Sequence, residues 1–98
     1  MEHSVFTKLA STEITTLYDL IEARMPDIDI DLISDVLHIS TDKGDYVINQ
    51  HSPTKQIWLS SPISSAGYFN YIQETKEWLD KNKTSLRQRL SSDLGITF

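Results

Sequence analysis

The apolar residues of this chain change period twice. Near the amino terminus, Phe6, Ala10, Ile14, Leu17 and Ile21 are separated by four, four, three and four positions. That spacing is one face of an α-helix, with Leu9 and Leu20 beside it. From Asp27 the period drops to two: Asp27-Ile28-Asp29-Ile30-Asp31-Leu32 alternates without a break, as a half-buried strand does. Beyond Thr84 helical spacing returns, with Leu86, Leu90 and Leu94 four apart. Each helix has only one apolar stripe, so both are expected to cover the same face of the intervening strands. The expected fold is therefore α+β, a two-layer sandwich with two helices on one face of a mostly antiparallel sheet. The other face is left to water.

The punctuation agrees with this division. Pro26 stops the first helix, because the residue before proline avoids the α region. Turns are expected at Ser34-Asp35, at Asp42-Lys43-Gly44-Asp45 and at Ser52-Pro53. Between them lie strands at 36–40, 46–49 and 56–60. A Ser/Pro/Gly-rich loop at 60–67 precedes short strands at 68–71 and 77–79. Ser85 or Thr84 is a good N-cap for the last helix, and Gly95 a natural stop. No repeat or linker interrupts the pattern, so 1–98 reads as a single domain.

Composition excludes several classes of function. The chain has no cysteine, which removes disulfides, thiolate metal sites and thiol catalysis. No Gly-x-Ser-x-Gly motif or phosphate-cradling glycine loop is present. No apolar run approaches the roughly 20 residues of a membrane span. The first residues do not read as a signal peptide, so cytosol or an organelle lumen is the expected compartment. The net charge of −5 is unevenly spread: residues 1–45 hold ten Asp/Glu against three Lys/Arg, and residues 46–98 hold four against six. An acidic first half disfavours nucleic acid and favours cations or a basic protein surface.

Two constellations stand out. Asp19 and Glu22 lie off the apolar face of the first helix, and Asp27, Asp29 and Asp31 line one face of the following strand. Together they make an acidic ridge where helix meets strand, offering the oxygen ligands that hard cations take. Ferrous iron also accepts carboxylates. His3 could join the ridge as a nitrogen ligand. The same carboxylates would also serve merely to keep an edge strand soluble and unpaired. The second constellation is on the sheet. If Tyr46, Ile48, Ile57 and Leu59 point inward, then Asn49, Gln56, Trp58 and Ser60 share the open face. A tryptophan there is a typical interface anchor, unless the 61–67 loop covers it.

The stretch Gly44–Pro62, GDYVINQHSPTKQIWLSSP, resembles the central signature of the frataxin family, whose bacterial form is called CyaY. Lys76-Glu77-Trp78 resembles the site of the family's second tryptophan. Leu86, Leu90, Asp93 and Leu94 resemble its final helix. The likeness extends over nearly the whole chain and implies the same α+β sandwich. Gln50, His51 and Arg89 depart from the usual pattern, where lysine or arginine, glutamine and an apolar residue are common. The short Met25-Pro26 link also leaves fewer acidic residues between helix and strand. The resemblance implies weakly bound iron (Fe²⁺ or Fe³⁺) on the acidic ridge. It also implies that the acidic ridge docks on the basic side of a cysteine desulfurase, and that the sheet face contacts the desulfurase and an iron–sulfur scaffold protein, to deliver iron or regulate cluster assembly. It implies a monomer that can oligomerise with iron, in the bacterial cytoplasm or the mitochondrial matrix. Ferroxidase activity on oligomerisation is one alternative, and an acidic interaction domain without a metal role is another.

Overall fold

The computed structural model describes all residues from Met1 to Phe98. Helix α1 runs from His3 to Arg24 and helix α2 from Leu86 to Leu94. Between them lie β1 (Asp29–Ile33), β2 (Val36–Thr41), β3 (Gly44–His51), β4 (Gln56–Ser60), β5 (Gly67–Ile72) and β6 (Glu77–Leu79). The strands form one six-stranded sheet in sequence order, and every neighbouring pair is antiparallel. Both helices pack on one face of it, as the two apolar stripes require.

The boundaries follow from local chemistry. The backbone N–H of Met25 still donates to the Ile21 carbonyl at 2.8 Å, and that of Ile28 donates to Met25 at 3.0 Å. The chain therefore turns once more after Pro26, and β1 starts at Asp29 rather than at Asp27. Ser34 and Asp35 both have positive φ (51° and 63°), the backbone of a tight two-residue hairpin whose twist matches its strands. At α2 the Ser85 hydroxyl accepts from the Gln88 N–H at 3.0 Å, and the Gln88 side chain accepts from the Ser85 N–H at 2.8 Å. This reciprocal cap satisfies two of the donors that a helix start leaves orphaned. Gly95, with φ of 71°, closes the helix in the left-handed conformation.

The core is a continuous cluster. Phe6, Ala10, Ile14, Leu17 and Ile21 of α1 are buried, as are Leu86 and Leu90 of α2. They meet Leu37, Ile39, Tyr46, Ile48, Ile57, Leu59, Phe69 and Trp78 from the sheet. Trp78 packs edge-on to Phe6 at 6.1 Å and beside Tyr71 at 5.3 Å. Full burial of such side chains stabilises the fold by about 1.5–3 kcal/mol each. The two helices are also clamped by a bidentate pair, with Arg87 donating twice to Glu13 at 2.9 Å.

Candidate functional site: the open sheet face and the acidic corner

Alternation places Tyr46, Ile48, Ile57 and Leu59 in the core, so Asn49, Gln56, Trp58 and Ser60 stand on the opposite face. Asn49 and Trp58 are directly paired across β3 and β4. Trp58 is half-buried, and two aromatic rings flank it. His51 stacks on its indole, with ring centroids 3.6 Å apart and planes 12° from parallel. Tyr68, its partner across β4 and β5, meets it edge-on at 5.2 Å. The indole N–H donates to the Gln56 side-chain oxygen at 2.9 Å, and the Gln56 amide donates onward to Asn70 at 3.4 Å. The result is an aromatic centre ringed by side-chain amides. Ser60 lies further along β4, opposite Val47.

His51 and Tyr68 are additions to the sequence reading. His51 extends the same face as Val47 and Asn49 at a period of two, so parity could have found it had β3 been carried to its true end. Tyr68 required the β4–β5 register, which a Ser-rich loop of this length does not reveal.

The carboxylates divide into two neighbourhoods. The Tyr18 hydroxyl donates to Glu22 at 3.0 Å. Its pKa is raised first by that hydrogen bond and then by the Glu22 charge, with smaller contributions from desolvation and from the charges of Asp19 and Asp31. Glu22 thus contacts the Tyr18 phenol directly, while Asp19 and Asp31 act on it only through their charges. Asp27 and Asp29 instead border an open groove with Asp42, floored by Ile28 and bounded by Leu94, Gly95 and Ile96. Asp27 sits in the turn, so only Asp29 and Asp31 share a strand face. Nowhere do three His, Asp or Glu side chains converge closely enough to hold one ion together. His3 starts α1, about 24 Å along the axis from Asp19 at 1.5 Å per residue, and is not brought to the acidic corner. His38 faces outward opposite Asp31, with Nε2 3.4 Å from the Asp45 carboxylate.

The 61–67 loop is fastened from behind by α2. Asp93 accepts from the hydroxyls of Ser61 at 2.7 Å and Ser64 at 2.6 Å. Arg89 donates to the carbonyls of Ser64 and Ser65 at 3.1 and 2.7 Å.

A two-helix, six-stranded sandwich with one bare aromatic face and an acidic flank defines the class of protein. The frataxin-like domain model matches residues 1–98, and the chain belongs to that family. It is 30% identical over 101 residues to mitochondrial frataxin of Arabidopsis thaliana, covering 96% of this chain and 54% of that protein. It is 36% identical over 86 residues to the mitochondrial frataxin homologue of Schizosaccharomyces pombe, covering 85% of this chain and 54% of that one. The chain thus spans about half the length of these curated relatives. Among solved structures, frataxin from Psychromonas ingrahamii, of the CyaY family, superposes with a TM-score of 0.84 at 23% identity, covering 96% of this chain and 89% of that one. Trimeric frataxin from Saccharomyces cerevisiae, complexed with ferrous iron, superposes with a TM-score of 0.70 at 31% identity, covering 97% and 84%. No helix is long and apolar enough to cross a membrane.

Proposed function

We propose that this chain binds iron weakly at its acidic corner and docks through its open sheet face onto a cysteine desulfurase–scaffold complex, delivering iron or setting the rate of cluster assembly. The observation that carries the docking half is the half-exposed Trp58, held by His51, Tyr68 and Gln56 on a face that neither helix covers. Such a fixed aromatic in a ring of amides is suited to anchoring a protein partner. The iron half rests on Asp19, Glu22 and Asp31, whose charges act on Tyr18, and on Asp27 and Asp29 beside Asp42. Oxygen donors in ones and twos favour solvated, exchangeable ions over a tight cage. The ferrous complex of the yeast relative supports iron as the cargo. The protein would act where the assembly machinery resides, in the bacterial cytoplasm or the mitochondrial matrix.

The test is the desulfurase rate of the purified complex with and without this protein and Fe²⁺. A changed rate that Trp58→Ala abolishes is the expected result, and an unchanged rate would reject docking. Amide shifts during Fe²⁺ titration should move first at Asp19, Glu22 and Asp31; a response confined to the histidines would reject the acidic corner.

A further inference from the structure

Ile33 and Val36 face each other at the hairpin end of the β1–β2 ladder, and both are exposed, at 69% and 39%. The two-residue turn between them fixes this register. A one-residue slip of β1 would bury Ile33 only by turning Ile30 and Leu32 outward, so the exposure is built into the fold. The pair is also not isolated. Leu37 pairs with Ile48, so the next step of the same ladder sets Val36 against Asn49. Asn49 pairs with Trp58, and Trp58 with Tyr68. Ile33, Val36, Asn49, Trp58 and Tyr68 therefore form one row across five strands of the open face.

The rows beside it are acidic. Asp31 lies opposite His38, and Asp29 opposite Ser40, which pairs with Asp45; all three aspartates are exposed. Three inter-strand steps of roughly 4.8 Å separate Ile33 from Trp58 by about 14 Å. We propose that the docking face has a second anchor at Ile33–Val36, and that its occupant is a basic protein surface whose apolar side chains reach both anchors while its cations meet Asp29, Asp31 and Asp45. The proposal rests on the docking reading above. A second copy of this chain is a poor occupant, because it carries the same carboxylates and a net charge of −5.

The test measures binding of the purified desulfurase–scaffold complex to wild type, to the double variant Ile33→Ser/Val36→Ser, to Asp31→Asn/Asp45→Asn and to Trp58→Ala. Thermal unfolding verifies that each variant is folded. The expected result is an affinity loss of about tenfold for the serine pair, and a shallower salt dependence for the asparagine pair. If the serine pair binds like wild type while Trp58→Ala is weakened, the second anchor is refuted and the docking reading stands. If Trp58→Ala also binds like wild type, both fail. Sedimentation showing self-association that the serine pair abolishes would overturn the choice of occupant in favour of a second copy.

Discussion

The imidazole of His51 lies flat on the indole of Trp58, at a centroid distance of 3.6 Å. One edge of that imidazole is tied down in turn, since its Nδ1 lies 2.8 Å from the Thr54 hydroxyl. The stack, together with the hydrogen bond from the indole to Gln56, holds an otherwise half-exposed side chain in one orientation. Fixing an anchor before its partner arrives lowers the ordering cost of docking. His51→Ala is therefore expected to leave the fold nearly intact, at a cost of about 0.5–1 kcal/mol in unfolding free energy. Trp58 should become more accessible to acrylamide quenching while the buried Trp78 stays protected. Unchanged quenching would mean that the stack does not shield or restrain the indole in solution.

Tyr18 offers a direct reading of the acidic corner. Its phenol is held protonated by the hydrogen bond to Glu22, then by the charges around it. A phenol whose pKa is raised by folding favours the folded state fully below its unfolded value near 10, and that contribution disappears as pH rises through the folded value. Ultraviolet titration of the folded protein should show two tyrosines ionising later than a free phenol: Tyr18, and Tyr46, whose pKa is raised by burial and by the Asp93 charge. Glu22→Ala should bring the Tyr18 transition to lower pH and leave that of Tyr46 in place, because the hydrogen-bond acceptor and the charge, the two largest causes at Tyr18, are removed together. Asp31→Asn should move the Tyr18 transition less.

Much of this architecture was legible in the residue pattern, and the reasons are specific. Every α1 residue assigned to the helical stripe is buried, because a four-four-three-four spacing can satisfy only one helical face. Tyr46, Ile48, Ile57 and Leu59 turned inward as parity demands, which left Asn49, Gln56 and Trp58 outside. Alternation alone starts β1 at Asp27, whereas the strand begins at Asp29, because Asp27 and Ile28 continue the polarity pattern while the backbone is still completing the turn after Pro26. Periodicity registers side-chain polarity and is blind to which carbonyl an N–H has found. His3, a candidate nitrogen ligand by its residue type, starts α1, and the length of that helix keeps it apart from the acidic corner. The stack on Trp58 and the Ile33–Val36 pair depend on strand register, a property of two segments at once that no single stretch of sequence displays.

Gly67 sits where β5 begins, and its missing side chain is filled by neighbours. A Cβ there would lie 2.7 Å from the ring of the buried Phe69 and 3.0 Å from a guanidinium nitrogen of Arg89. The ring belongs to the core and cannot swing away without displacing Ile57, its partner across the sheet. Gly67→Ala should therefore destabilise the protein by about 1–3 kcal/mol, the usual cost of overpacking. Urea unfolding would measure it, and a neutral result would show that Phe69 has a second rotamer to occupy.

Arg89 does two jobs that an apolar residue could not combine. Its guanidinium carbon lies 5.9 Å from the Phe69 ring centroid, covering apolar surface with its stem. Its nitrogens reach the Ser64 and Ser65 carbonyls and come within 3.9 Å of Asp80. Ser65 has a φ of 69°, a left-handed backbone that a non-glycine residue adopts at a cost, and the short bond to its carbonyl helps offset that cost. Asp80 is nearly buried and also accepts from the N–H groups of Asn82 and Thr84 at 2.9 Å. Arg89→Ala should cost about 2 kcal/mol, since it strands carbonyls and a half-neutralised carboxylate together. Arg89→Leu should recover the packing on Phe69 but not the clasp, giving a smaller loss in urea unfolding. In both variants amide exchange should speed up at 64–67 and remain slow in the core strands β2 and β3. Equal losses in the two variants would assign Arg89's contribution to the clasp alone, and exchange rates unchanged at 64–67 would show that Asp93 holds the loop by itself.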